Sequence, residues 1–168
     1  ALFLVVAGLL VWLGDRLILQ RSAAGPTPEL TIRGDSLHYI QMIEQGSQAP
    51  RGHYSMYRPL VPWLARLLPW SAPDSLRAIT YASLGVCYLV ALLICAKLGF
   101  AWPASLLGLC SIYSSPWHLY HYHNPYLTDA FALMTVFFLV WSLLNRSPAV
   151  FGVMSLLGVL ARETTLCV

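Results

Sequence analysis

A few ionisable side chains stand out in an otherwise oily chain, and their types suit group transfer between oxygen atoms. Asp35 opens the segment DSLHYIQMIEQ, with His38 three residues on. Arg58 sits between Tyr57 and Pro59, Asp129 lies in NPYLTDAFALM, and Arg162-Glu163 interrupts LGVLARETTLCV. His118, His121 and His123 alternate with other residues in HLYHYH. A carboxylate takes the proton of an attacking hydroxyl. A guanidinium holds a phosphate through two parallel N–H donors.

Each of these residues also has a plainer use. Asp35 is a natural helix N-cap, a role that does not exclude catalysis, and Asp129 or Thr128 could cap a later helix in the same way. His38 either shares a proton with Asp35 or faces lipid headgroups. The histidine cluster offers metal ligands, but with Tyr120, Tyr122 and Tyr126 it equally makes an aromatic interface belt. Arg58 could snorkel from an interface. On a helix, Arg162 and Glu163 would point about 100° apart, so each needs its own partner. For Arg162 that is a phosphate or a structural carboxylate such as Asp129. The tetrapeptide Arg33-Gly34-Asp35-Ser36 resembles an adhesion tag, yet its aspartate begins an amphipathic segment instead of occupying a loop tip.

The elements that must position these groups are read from hydropathy. The 168 residues are 58% hydrophobic and 10% charged, with mean hydropathy +0.64, whereas soluble domains carry about 25% charged residues. The expectation is an all-α, polytopic transmembrane helical bundle forming a single domain over residues 1–168. Spans are expected at 1–14, 76–98, 102–117, 126–144 and 149–168. The first run covers about 21 Å of a roughly 30 Å hydrocarbon core. It lacks the basic start and small-residue cleavage site of a signal peptide, so it reads as a cropped first span of a longer chain. Net charge +3 with no basic run argues against nucleic acid. Cys87, Cys95, Cys110 and Cys167 all lie in apolar runs and read as packing residues.

Residues 15–75 form a polar connection with two surface helices. Leu37, Ile40 and Ile43 are expected to make the apolar stripe of the first. Tyr57, Leu60 or Val61, Leu64 and Leu68 make that of the second, leaving Arg58 and Arg66 off the stripe. Trp63 and Trp70 suit headgroup depth. Lys97 and Arg146 fall in short loops and are expected on the cytoplasmic side; the arginines of the long first loop count the other way. Asp35, Arg58, the histidines, Asp129, Arg162 and Glu163 then share the outer side. Ionisable groups at membrane depth usually face a partner or a wet cavity.

Three stretches resemble the GT-C superfamily of integral-membrane glycosyltransferases. GDSLHYIQMIEQG resembles the acidic start of its first outer loop, and YRPLVPWLARLLP the juxtamembrane helix that follows. NPYLTDAFALM with LGVLARETTL resembles its second-loop acid and the charged end of its fifth span. The resemblance implies an inverting enzyme of the bacterial inner membrane with its site on the extracytoplasmic side. Such an enzyme moves sugar from a polyprenyl-phosphate donor to an envelope glycan, lipid or protein. It assigns Asp35 as catalytic base and Asp129 to metal or substrate orientation. Arg58, Arg162, Glu163, His38, His121 and His123 are left for substrate binding. Two aspartates would suit Mg²⁺ or Mn²⁺, but Asp35 stands alone in GDSLHYIQMIEQG where the family carries an acidic pair. The competing expectation is a multi-pass transporter or flippase-like protein whose outer cavity uses the same charges to bind substrate.

Overall fold

In the computed structural model the described residues are 35–46, 58–113, 115, 120–121 and 124–162. They are all-α, with no strand among them. Six helices follow in order: α1 (Asp35–Gln45), α2 (Leu60–Arg66), α3 (Ala72–Lys97), α4 (Trp102–Tyr113), α5 (Asp129–Leu144) and α6 (Pro148–Ala161). The expected first span, 1–14, lies outside the described residues.

Helix α3 is the spine. Ser71 caps it by accepting from the Asp74 N–H at 3.3 Å, and the Ser71 hydroxyl donates to the Asp74 carboxylate at 2.5 Å. Proline in the first turn costs no hydrogen bond there. At 26 residues and 1.5 Å rise, α3 is about 39 Å long, enough to cross a bilayer. It alone among the described helices is long and apolar enough to do so. Helices α4, α5 and α6 have 12, 16 and 14 residues, fewer than the roughly 20 that a span needs.

Helix α3 ends in a Schellman closure. Phe100 N–H donates to Cys95 O and Gly99 N–H to Ala96 O, with Gly99 at φ 80°. Helices α3 and α5 start at the same end of the molecule, because the Thr80 hydroxyl in the third turn of α3 donates to Pro125 O at 2.7 Å, just before α5. Both then run the same way, so Lys97 and Arg146 come to one end and Asp129 to the other. Helix α6 returns beside α5 and brings Arg162 back to Asp129.

Two buried clusters hold this arrangement. Leu84, Tyr88, Leu92, Leu109 and Ala130 join α3, α4 and α5. Tyr39, Ile40, Val61, Leu76 and Ala161 join α1 and α2 to the bundle. Ala130 and Ala161 are fully buried and adjoin Asp129 and Arg162. Their small side chains let α5 pack in the α3–α4 cluster and α6 in the cluster built on α1 and α2, right beside the two charges.

The surface helices differ from the expected stripes. In α1, Ser36, Tyr39 and Ile40 face inward while Leu37 is exposed. The helix is rotated from the Leu37-Ile40-Ile43 stripe because the Tyr39 ring offers a larger apolar body to bury, with a hydroxyl that reaches Thr128. In α2, Val61, Pro62 and Ala65 are buried and Leu64 only partly so. Trp63 and Leu67 point outward. Arg58 is also buried, 9% exposed, which replaces the expectation of a snorkelling cation. The helices clamp each other at Gly46, φ 60°, where a Cβ would stand 2.7 Å from Arg66 Nη1. The left-handed backbone favours glycine there, while the Arg66 guanidinium is a flexible side-chain end that could shift. The guanidinium there also complements the C-terminal end of α1.

Candidate functional site

A polar cleft of about 170 Å³ opens at the end of the bundle where α3 and α5 begin. Asp35, Ser36 and Tyr39 reach it from α1, Arg58 from the residues before α2, and Tyr120, Asn124 and Leu127 from the segment preceding α5. Asp129, the first residue of α5, and Arg162, just beyond α6, complete it. Asp35 and Arg162, the extremes of this set, are 127 residues apart in sequence, yet with Arg58 and Asp129 they line one cavity. Drug-sized ligands occupy pockets of about 300–1,000 Å³. This cleft suits a smaller group, such as a phosphate or a single sugar ring.

Arg162 does not sit inside a helix. Helix α6 closes at Ala161, the Arg162 N–H donates to Gly158 O at 2.7 Å, and the Arg162 backbone is extended. The premise that Arg162 and Glu163 diverge on one helix is thereby removed. The extended backbone turns the side chain toward Asp129, and Arg162 Nη1 donates to Asp129 Oδ1. Both side chains are partly exposed, 35% for Arg162 and 22% for Asp129. Of the two partners open to Arg162 from sequence, the structure contains the carboxylate. Arg162 Nε has no acceptor among the described residues.

Three hydroxyls set the height of Asp129. Thr80 holds the Pro125 carbonyl at 2.7 Å and reaches toward the Leu127 carbonyl at 3.4 Å. Thr128 occupies the N-cap position of α5, but its side chain makes no capping bond. Instead its hydroxyl points to the Tyr39 hydroxyl at 3.5 Å. Thr80 and Tyr39 escaped the sequence reading. Tyr39 had a signal, since it stands four residues after Asp35 and so shares its helical face. Thr80 had none, being one hydroxyl in an apolar helix.

His121 lies behind the ion pair, 1% exposed. Burial pulls its pKa below the usual 6.5, nearby Asp129 raises it in part, and Arg162 lowers it again. The ring is therefore neutral at pH 7. It does not line the cleft, and neither does His38. Glu163, His118 and His123 lie outside the described residues. No group of three or more His, Cys, Asp or Glu side chains able to hold a metal occurs among the described residues.

The arrangement can neutralise an anion with two guanidiniums while presenting a carboxylate to a hydroxyl. No family model, no curated protein and no solved structure matches this chain.

Proposed function

We propose that the chain belongs to a polytopic membrane glycosyltransferase of the GT-C type. In this reading it transfers sugar, with inversion, from a polyprenyl-phosphate donor to an extracytoplasmic acceptor at the bacterial inner membrane. The observation that carries the proposal is the meeting of Asp35, Arg58, Asp129 and Arg162 in one small cleft at the end of an apolar bundle. Support for the membrane setting comes from the outer surface. Leu107 is 70% exposed, Leu143 63% and Leu156 62%, and only 39% of the apolar window of α3 is buried. A core helix of a soluble protein would be largely enclosed, and contiguous exposed apolar surface marks a membrane or partner. Trp63 and Trp70, both more than half exposed, sit at the cleft end, where an interface would place them.

Within this proposal Asp35 accepts the proton of the acceptor hydroxyl as its oxygen bonds to the anomeric carbon. The bond from that carbon to the phosphate oxygen breaks, and its electron pair stays on the leaving polyprenyl phosphate. Arg58 and Arg162 stabilise the charge that gathers there. Asp129 orients the Arg162 guanidinium at the cleft. Tyr39 and Asn124 supply hydrogen bonds for sugar hydroxyls. The residues present fit a divalent cation poorly. Mg²⁺ needs near-octahedral oxygen ligation, while the cleft offers two carboxylates, one already engaged by Arg162, beside a second arginine.

The test is transfer by the full-length protein in detergent with a panel of polyprenyl-phosphate sugars. Asp35→Asn should lower turnover by about 10²–10⁴-fold with donor binding retained. Unchanged turnover would sink the base assignment. Donor movement across vesicles without any transfer would favour a transporter.

A further inference from the structure

The far end of the bundle holds a second, larger groove that plays no part in the cleft. Ser142, Leu143, Arg146, Ser147, Phe151 and Gly152 line it, and its volume is about 440 Å³. The α5–α6 turn that forms it is a Schellman closure like the one ending α3. Ser147 N–H donates to Ser142 O at 2.9 Å and Arg146 N–H to Leu143 O at 3.1 Å. Arg146 thereby occupies the position that needs a left-handed backbone, with φ 52°. In α3 the equivalent residue is Gly99, which adopts that conformation without strain. Arginine works against the turn, and the C-terminal dipole of α5 offsets only part of that strain. The turn does not explain the side chain, but the groove does.

Among the described residues no carboxylate lines the groove, and Arg146 faces it as a cation. Leu143 is 63% exposed and Phe151 37%, which gives the cation apolar walls. Open space stands where a Cβ on Gly152 would be, keeping the floor at backbone level. The Ser147 hydroxyl makes no capping hydrogen bond and is available as a donor. One fixed charge over apolar walls, with a free hydroxyl beside it, is complementary to a phosphodiester carrying a hydrocarbon tail. Lys97 lies at the same end and adds to the positive field.

We propose that this groove binds the headgroup of an anionic phospholipid. Arg146 pairs with the phosphate, Ser147 donates to a second phosphate oxygen, and Leu143 and Phe151 contact the proximal acyl chain. The site rests on the membrane setting proposed above but is independent of the transfer chemistry.

Native mass spectrometry of the full-length protein in detergent tests it, with phosphatidylglycerol and phosphatidylcholine of equal chain length added together. The wild type should retain phosphatidylglycerol about fivefold better, the effect of one cation beside an anionic lipid. Arg146→Gly should abolish that preference while the thermal midpoint holds or rises, because glycine suits the turn. Arg146→Lys should keep part of the preference. Equal retention of both lipids by the wild type, or undiminished preference in Arg146→Gly, would overturn the site while leaving the membrane setting intact. Retention of neither lipid would overturn the membrane setting and the site with it. Millimolar inorganic phosphate should leave the lipid in place; displacement would assign the groove to free phosphate and overturn the lipid reading.

Discussion

Helix α6 carries an arginine at each end, and the two are held in opposite ways. Arg162 follows the last turn on extended backbone, is 35% exposed, and has its charge matched by Asp129. Arg146 precedes the first turn on left-handed backbone, with no carboxylate among the described residues of its groove. At the cleft the backbone is relaxed and the side chain is constrained. At the far turn the backbone is strained and the side chain is open. A paired charge contributes to the structure of the site, whereas an unmatched charge on strained backbone is a candidate for recognition. Conformational strain is retained where something else repays it.

Breaking the constrained end should have the largest effect. Asp129→Ala leaves a partly buried guanidinium without its acceptor and should destabilise the protein by about 2 kcal/mol. Because Arg162 would already have lost its partner, adding Arg162→Ala should cost less than in the wild-type background. Thermal denaturation of the four proteins in that cycle measures the coupling. Strictly additive losses would mean the pair contributes nothing.

Next in size is the hydroxyl that sets the cleft's height. Thr80→Val keeps the side chain's shape but leaves the buried Pro125 carbonyl without its donor, for an expected loss of about 1.5 kcal/mol. An unchanged denaturation midpoint would remove Thr80 from the positioning of Asp129. The two turns at the far end should respond in opposite directions. Gly99→Ala should destabilise by about 1 kcal/mol, since open space around its Cβ leaves backbone strain as the only penalty. Arg146→Gly should be neutral or stabilise by up to about 1 kcal/mol. Equal signs for these two substitutions would show that their shared closure does not govern the response.

The smallest expected effect depends on pH. Burial holds the His121 pKa in the folded protein below 6.5. The unfolded chain then binds the proton more readily, so the stabilising contribution is complete above 6.5 and is lost as pH falls through the folded value. The denaturation midpoint should drop between neutral and mildly acidic pH, and His121→Gln should flatten that dependence. A wild-type profile already flat over this window would mean that His121 charges without cost.

Periodicity and hydropathy carried much of the fold. The runs at 76–98, 126–144 and 149–168 overlap α3, α5 and α6, because a helix that buries or exposes apolar surface needs long apolar stretches whatever its neighbours. Run ends were less legible. Helix α6 stops at Ala161, where Arg162 interrupts the apolar run, so Arg162 could be flagged by its charge but its extended backbone could not be foreseen. The inward faces of α1 and α2 were legible only in part: Ile40, Ile43, Leu60 and Val61 pack in or against the core, while Leu37 does not. A stripe of leucines and isoleucines ranks residues by oiliness, while the packed structure added Tyr39 and Ala65 for shape and for one hydroxyl contact.

The sequence by itself determined an all-helical, strongly apolar chain with a handful of charges spaced far along it. Local propensity and residue chemistry suffice for that, since neither depends on distant contacts. Only tertiary structure decided that Asp35, Arg58, Asp129 and Arg162 share one cleft, that Arg162 is paired, and that Arg146 faces a groove. Those outcomes depend on how α5 packs at Ala130 and α6 at Ala161, and on where Thr80 pins the segment before α5. Packing distances and cross-chain hydrogen bonds are set between residues far apart in sequence, and no local pattern encodes them.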